Sequence, residues 1–170
     1  MNHDYEKILV AYDGSSDSMK AIRQAESLAK AHNASLNVVY VHDQNTRPKS
    51  TMNSEPIFSH GASMMHNTTN YVPYVQFGDF NPTANKESIG SEAQKLLDEV
   101  ATKVSDDIKE VNYETLVGDP AKTLVQYADD QKMDLIVIGN RGISGLRQLV
   151  MGSVSNKVAN ESNVPVLIAK

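Results

Sequence analysis

Short apolar segments alternate with amphipathic segments along most of the chain, and this alternation limits the fold more than any other feature of the sequence. Residues 7–12 (KILVAY) form the first apolar run, and residues 35–42 and 134–138 form two more. Between such runs, apolar residues recur at steps of three and four, the spacing of one helix face. Continuous apolar runs of this length are typical of strands buried on both faces of a parallel sheet.

The complete pattern predicts five strands and four helices in the order β-α-β-insert-α-β-α-β-α-β. The other strands are predicted at residues 113–117 and 164–169, and the helices at 87–110, at 153–161, from a Ser16 or Asp17 cap to His32, and from Pro120, capped by Asp119, to near Lys132. Such alternation implies a mostly parallel sheet with helices on both faces. Right-handed crossovers then place the carboxyl ends of all strands at one edge, where α/β proteins bind their ligands.

Residues 44–86 interrupt this pattern. They contain four of the six prolines and all three phenylalanines, and neither a helical nor a strand period persists in them. A connection of this length is rare inside a compact domain. We therefore expect residues 1–170 to form a single domain that carries a long, partly ordered insert.

Composition excludes several classes of function. The chain has no cysteine, which removes disulfides, thiolate nucleophiles and cysteine–zinc sites. Its net charge of −5 argues against a nucleic-acid partner, because such binding rests on a basic surface. No apolar run approaches the ~20 residues of a membrane span, and the polar start is unlike a signal peptide. These features predict a cytoplasmic protein with neither nucleic acid nor membrane as partner.

Two glycine clusters follow the fourth strand and are the main candidates for a binding site. Gly139 and Gly142 lie directly after the strand, and Gly152 precedes a helix that begins with Ser153. Glycine lets a backbone approach a ligand closely, and a helix N-terminus attracts anions. The residues alone fit a phosphate cradle and fit ordinary turn glycines before a serine-capped helix equally well. Neither G-x-x-x-x-G-K-[ST] nor G-x-G-x-x-G after the first strand is present.

The spacing G-x2-G-x9-G-[ST] resembles the nucleotide-binding signature of the universal stress protein family. The segment ILVAYDGSSDSMKAIRQA resembles the first strand and helix of that family, and residues 118–170 resemble its whole C-terminal half. The resemblance covers the chain except for the extreme N-terminus and residues 44–86. It implies a Rossmann-like, doubly wound α/β fold with a five-stranded parallel sheet in the order 3-2-1-4-5, as in adenine nucleotide alpha hydrolase-like proteins. Because the full glycine spacing is present, the chain is most similar to the ATP-binding branch of the family.

The resemblance also implies a ligand and the residues that hold it. The expected ligand is ATP, with any Mg2+ or Mn2+ bound through the phosphates. Asp13 is expected to bind the ribose or adenine, and Val41 the adenine through its backbone, while the glycine clusters hold the phosphates. All the matching positions lie at the ends of predicted strands or the start of the last helix: Ala11, Tyr12, Asp13, Val41, Gly139, Arg141, Gly142, Gly152, Ser153, Val154 and Ser155.

Three functions stay open on these grounds. The first is an ATP-binding stress-response protein that acts as a nucleotide-dependent regulatory module, with slow hydrolysis at most, since no catalytic motif is evident. The second is an adenylating or nucleotide-hydrolysing enzyme, because Asp13-Gly14-Ser15-Ser16-Asp17-Ser18 faintly resembles the loop of ATP-pyrophosphatases. The third is a dimerisation module with an empty pocket. The resemblance suggests an antiparallel homodimer through the last strand, from Val164 to Ile168.

Overall fold

Helices and strands alternate as predicted in the computed structural model, which describes residues 5–43, 86–142 and 151–170. In the helix that opens the second range, side chains are described from Ala93 onward. The predicted insert at residues 44–86 lies outside the described residues apart from its last residue. The elements are β1 (Lys7–Ala11), α1 (Ser16–His32), β2 (Ser35–His42), α2 (Lys86–Ala101), β3 (Glu110–Val117), α3 (Pro120–Asp130), β4 (Leu135–Gly139), α4 (Ser153–Glu161) and β5 (Val166–Ala169).

The five strands form one sheet in the order β3-β2-β1-β4-β5, and every neighbouring pair is parallel. This confirms the predicted fold class and strand order. Successive strand residues face opposite sides of the sheet, and both sides are covered. Ile8 and Val10 of β1 belong to a core shared with α1 and α2, whereas Leu9 belongs to a second core shared with α3 and α4. Full burial of one such aliphatic side chain contributes about 1.5–3 kcal/mol.

The largest error of the sequence prediction concerns the end of α2. The helix was expected to continue to residue 110, but it ends at Ala101, and β3 begins at Glu110 rather than at residue 113. Two side chains of α1 hold the chain in a turn here: the Glu26 carboxylate accepts the Ser105 N–H at 2.7 Å, and Arg23 donates to the Lys103 carbonyl at 2.8 Å. Val104 and Ile108 still reach the core, so the apolar spacing continued although the helix did not.

Smaller corrections apply to other boundaries. Ser15, not Ser16 or Asp17, caps α1, since its hydroxyl accepts the Ser18 N–H at 3.1 Å. β1 ends one residue early and β4 begins one residue late, α3 ends at Asp130, and β5 begins at Val166 rather than at residue 164. Asp119 caps α3 and Pro120 opens it, as predicted.

A buried polar network crosses the sheet on the side of α3. The Asn37 amide donates to the Tyr127 hydroxyl at 3.0 Å, and that hydroxyl donates to the Glu114 carboxylate at 2.6 Å. Burial and, next, the bond to Glu114 raise the pKa of Tyr127 from 10.0 to about 12. The hydroxyl therefore stays protonated at neutral pH and joins β2, β3 and α3.

Replacing Tyr127 with Phe is expected to lower the free energy of unfolding by about 1–3 kcal/mol, because the buried Asn37 amide loses its acceptor. Urea unfolding at pH 7 measures the change. Tyr113→Phe is the matched control: Tyr113 is half-buried on the other side of the sheet, and its hydroxyl bonds to none of the described residues. Equal losses in the two variants would contradict the role assigned to the network.

The same substitution also tests the raised pKa. Below pH 10 the Tyr127 hydroxyl is protonated in the folded and the unfolded chain, so it adds no pH dependence. Between about pH 10 and pH 12 only the unfolded chain releases the proton, so the stability of the wild type falls as the pH rises. Tyr127→Phe should lose this part of the decline, and an unchanged alkaline slope would refute the assignment.

Candidate functional site

The reversal of chain direction between β1 and β4 places a crevice at the carboxyl edge of the sheet. β1 leads into α1 on one face, whereas β4 leads toward α4 on the other face. The two strands are adjacent, with Ile8 opposite Leu135 and Val10 opposite Val137. The loops that follow them therefore diverge from a common point, which is where open α/β sheets bind their ligands.

The loop after β1 is tied to the loop after β4. The Asp13 carboxylate accepts the Ser15 N–H at 3.0 Å, and Gly14 adopts the left-handed φ of +81° that this turn needs. Besides capping α1, the Ser15 hydroxyl donates to the Arg141 carbonyl at 3.3 Å. The second Asp13 oxygen faces Gly142 so closely that a Cβ there would lie 2.5 Å from it. The predicted residues Asp13, Arg141 and Gly142 are thus brought together.

The start of α4 is fastened to the same loop through one carbonyl oxygen. The Asn140 carbonyl accepts the Gly152 N–H at 2.8 Å and the Ser155 hydroxyl at 2.9 Å. The Asn140 N–H donates to Ala169 of β5 at 2.7 Å. Ser155 is only 2% exposed, and its hydroxyl also lies 3.0 Å from the Gly152 carbonyl. Its side chain therefore holds the protein together, and its backbone N–H is the group that faces the helix N-terminus.

The N-terminus of α4 differs from those of α1 and α3. Ser15 and Asp119 cap the latter two with side-chain oxygens, whereas the N-cap of α4 is Gly152, which has no side chain. The amides of Ser153, Val154 and Ser155 lie in the first turn, where helix amides have no intrahelical acceptor. The first turn of α4 also contains no acidic residue. This end of the helix can bind an anion through its backbone.

The end of β2 offers a second set of backbone groups. The Tyr12 N–H donates to the Val39 carbonyl at 2.9 Å on one side of β2, and the Gly118 N–H donates to the His42 carbonyl at 3.0 Å on the other. Since hydrogen-bonding direction alternates along a parallel strand, the backbone groups of Val41 point toward β1. β1 ends at Ala11, which is opposite Val39, so these groups face the crevice.

Alternation along the chain separates Tyr12 from its predicted neighbours. The side chains of Ala11 and Val41 lie on the face of α3 and α4. The Tyr12 ring lies on the opposite face, is 3% exposed and packs in the core with α1 and α2. Burial first, and the Glu99 carboxylate next, raise its pKa. Only the backbone of Tyr12 reaches the crevice.

The glycines of the motif are explained in part by close packing within the protein. A Cβ on Gly139 would lie 2.6 Å from the Asp17 carbonyl carbon and 2.8 Å from the Ser18 nitrogen, both backbone atoms of α1. A Cβ on Gly152 would lie 3.0 Å from the Asn140 carbonyl oxygen. Gly139 therefore lets α1 approach β4, while Gly152 lets the loop approach α4.

A cavity of about 500 Å3 opens at the same edge between α1 and β5. Its lining residues are Asp17, Lys20, Asn140, Arg141, Met151, Ile168 and Lys170. Of the predicted binding residues it contains only Arg141, so it lies beside the crevice formed by Asp13, Val41 and α4 and is not the same space.

Two further features follow from the described ranges. No group of three or more His, Asp or Glu side chains among them is arranged to hold a metal ion. No helix in these ranges is long and apolar enough to cross a membrane.

Sequence reasoning missed Asn140 and misplaced the role of Ser15. Asn140 acts through its backbone, so its side-chain identity carries no signal of this role. Ser15 lies in a run of two serines, and only the observed bond to Ser18 shows which of them caps the helix.

Comparison with known proteins links this geometry to one family. The model of the universal stress protein family matches residues 4–57 and 70–170. The chain is 33% identical over 171 residues to the stress response protein NhaX of Bacillus subtilis. The alignment covers 97% of this chain and 98% of that protein. It is also 33% identical to the universal stress protein YxiE of the same organism over 168 residues, 98% of this chain and 99% of the relative.

Solved structures show the same fold at lower sequence identity. The universal stress protein UspA from Lactobacillus plantarum superposes with a TM-score of 0.71 at 22% identity, covering 99% of this chain and 100% of that one. A universal stress protein in complex with cAMP superposes with a TM-score of 0.58 at 24% identity, covering 98% of this chain and 97% of that one. The universal stress protein from Archaeoglobus fulgidus in complex with dAMP superposes with a TM-score of 0.60 at 22% identity, covering 99% of this chain and 100% of that one.

Replacing Gly139 with Ala should lower the free energy of unfolding by about 1–3 kcal/mol, because the new Cβ meets backbone atoms of α1 that cannot move independently. Gly142→Ala is the matched control, since its Cβ meets the end of the Asp13 side chain and no backbone atom, so that a shift of the carboxylate, at some expense to its bond from the Ser15 N–H, relieves the contact. Urea unfolding of both variants measures the difference. A Gly139→Ala variant no less stable than Gly142→Ala would contradict the packing role.

Proposed function

The chain belongs to the universal stress protein family, and on that premise we propose that it binds an adenine nucleotide in the crevice above β1 and β4. The observation that carries the proposal is the start of α4, whose first-turn amides lack a side-chain cap beside the switch point of the sheet. Two structural neighbours hold adenine nucleotides, cAMP in one and dAMP in the other. The residues present fit such a ligand at both of its ends.

In the proposed complex the phosphates bind at the start of α4. The amides of Ser153, Val154 and Ser155 donate to phosphate oxygens, and the Ser153 hydroxyl adds a donor. Gly152 contributes by its lack of a side chain, since the loop carbonyl of Asn140 lies 3.0 Å from where a Cβ would be. Helix N-termini bind phosphate by these contacts without any acidic or basic side chain.

The nucleoside in the proposed complex binds between the ends of β1 and β2. Val41 meets the adenine with its backbone N–H and carbonyl, and Ala11 contributes an apolar wall. Asp13 accepts a hydrogen bond from the ribose, while its other oxygen holds the Ser15 N–H. Gly139, Arg141 and Gly142 continue the wall toward the first phosphates, and Tyr12 contributes only its backbone.

The specific ligand we propose is ATP, because the complete glycine spacing resembles the ATP-binding branch of the family. A divalent ion, where one is bound, is coordinated mainly by the phosphates, as Mg2+ commonly is. Bound ATP would change the charge and shape of the edge between α3 and α4. The protein then acts as a nucleotide-dependent regulatory module in the stress response, within the cytoplasm, and residues 1–170 act as one domain with an insert at 44–86.

Turnover is proposed to be slow at most. Hydrolysis needs a positioned base within reach of the attacking water. Asp13, the acidic residue of the crevice, already accepts the Ser15 N–H. Retention of the nucleotide is the behaviour that this arrangement favours over an adenylating or pyrophosphatase activity.

We further propose that β5 joins two copies of the chain. β5 pairs with β4 on one side, and its other side carries no strand among the described residues. Val166, Leu167 and Ile168 are only partly buried there. An apolar sheet edge of this kind invites pairing with another strand, and residues 164–168 of a second copy would cover it in antiparallel orientation.

The nucleotide proposal is tested by denaturing the purified protein and identifying what it releases. We expect adenine nucleotide in near-stoichiometric amount, with ATP prevailing over AMP. Release of no nucleotide, together with no binding of added ATP, AMP or cAMP by calorimetry, would refute the proposal and leave the dimerisation module. Pyrophosphate production from ATP with an acceptor would support the enzymatic alternative.

Replacing Gly152 with Val should weaken binding of ATP about tenfold or more, because the side chain enters the cradle between Asn140 and α4. Ser153→Ala is the matched control: it keeps the backbone amides, so affinity should fall only about two- to threefold. Thermal unfolding shows whether both variants fold. Unchanged affinity in folded Gly152→Val would exclude the cradle.

Dimerisation through β5 is tested separately by light scattering at tens of micromolar protein. The wild-type chain should run as a dimer. Leu167→Asp and Val166→Lys are compared because the two side chains lie on opposite faces of β5, Leu167 against the core of α1 and α2 and Val166 against the core of α3 and α4. Thermal unfolding shows whether each variant still folds. Both should shift the protein to monomer, and a monomeric wild type would contradict the proposal.

A further inference from the structure

An ion pair links the two helices on one side of the proposed nucleotide crevice. The Lys157 ammonium of α4 lies 3.3 Å and 3.4 Å from the two carboxylate oxygens of Asp119, which precedes α3. The side chains are partly open to solvent, 36% exposed for Lys157 and 43% for Asp119. The pair thus connects the phosphate side of the crevice with the side where β2 and β3 end.

The bond to Asp119 directs the Lys157 ammonium toward the carboxyl edge of the sheet, where α4 begins, although the Lys157 Cα lies one turn further along the helix. Asp119 follows Gly118, whose N–H bonds the last residue of β2, so the carboxylate is at the carboxyl edge of the sheet. To reach it, the Lys157 side chain runs back toward the helix N-terminus, as helical side chains do. Lys157 is four residues after Ser153 and therefore lies on the same face of the helix.

Asp119 is ionised and can pair with this ammonium, but the ion pair between them is weak. One of its oxygens accepts the Lys122 N–H at 3.0 Å, and this bond first, with help from Lys157, lowers the pKa of Asp119. The carboxylate is therefore ionised at neutral pH. Its distances to Lys157 are longer than the ~2.7–2.9 Å of strong charged hydrogen bonds. Ion pairs with this much solvent exposure contribute little, so the ammonium can leave Asp119 at little cost.

We propose that Lys157 is a specificity-determining residue that selects nucleotides with a free, extended phosphate chain. This inference rests on the proposed nucleotide function of the same crevice. When the terminal phosphates of ATP lie at the start of α4, Lys157 turns from Asp119 to them, because they carry more charge than one carboxylate. A cyclic monophosphate keeps its single charge against the ribose, and AMP extends less far, so neither reaches Lys157.

Asp119 then acts as the competitor that sets the strength of this selection. It retains its cap on α3 when Lys157 leaves, because the bond from Lys122 uses the peptide N–H and does not involve the ammonium. Nucleotide binding would therefore exchange one ion pair for another without uncovering the end of α3.

The test compares affinities of the full chain for ATP, AMP and cAMP by calorimetry. Lys157→Gln should bind ATP about tenfold more weakly, the loss of one charged contact. Its affinities for AMP and cAMP should change less than about twofold, and Lys157→Arg should keep most of the preference for ATP. The melting temperature of Lys157→Gln reports that the variant is folded.

Asp119→Asn is the second variant, because asparagine still caps a helix but carries no charge. Because Lys157 then has no competing carboxylate, the variant should bind ATP about two- to threefold more tightly than the wild type, and its affinity for AMP should be unchanged. Equal losses for ATP and AMP in Lys157→Gln, or no loss for either, would overturn the inference and leave nucleotide binding intact. A wild-type chain that binds none of the three nucleotides would overturn the proposed function and this inference together.

Discussion

The parallel pairing of β1 with β4 at the centre of the sheet is the contact on which the rest of the structure depends. All of β4 and the three central residues of β1 are buried, so the two strands lie side by side in a fixed register. The chain leaves β1 toward one face and β4 toward the other. This divergence opens the crevice, and no loop has to be long or specially shaped to create it.

Around that crevice, the same atoms hold the protein together and shape the candidate site. The Asn140 carbonyl accepts one hydrogen bond from the N-cap of α4 and one from the buried Ser155 hydroxyl. Ser15 holds the next carbonyl, that of Arg141, from the opposite side. The two ends of this connection that the structure describes, residues 140–142 and Gly152, are therefore positioned before any ligand arrives. A preorganised backbone cradle of this kind reduces the ordering that binding requires.

The helices differ in whether a side chain caps their first amides, and this difference leaves the start of α4 open to an anion. α1 and α3 begin with a serine and an aspartate that satisfy their first amides, whereas α4 begins with a glycine. In a chain with a net charge of −5, this end is therefore the one that can accept an anion through its backbone amides. Lys157 lies one turn along the same helix, and among the described residues its ammonium is paired with the Asp119 carboxylate. In the proposed complex, affinity for phosphate comes from the first turn of α4, and the choice between nucleotides comes from Lys157.

The elements were largely predictable because their signals are local. Strand β2 and helix α4 begin and end where the sequence indicated, since a β-branched run and a Gly-Ser start are short-range features. The end of α2 was not predictable, because the apolar spacing at Val104 and Ile108 continues through the turn. What stops the helix is a pair of bonds from Arg23 and Glu26, nearly eighty residues earlier in the chain.

By itself, the sequence determined the fold class, the strand order through its family resemblance, and the set of positions gathered at one edge of the sheet. Only the tertiary structure decided what each of those positions offers there. It turned the Tyr12 ring into the core, committed the Ser155 hydroxyl to a carbonyl and aimed the Val41 backbone into the crevice. The physical reason is that apolar periodicity is local, whereas the direction of a side chain or an amide depends on neighbours that are distant in the chain.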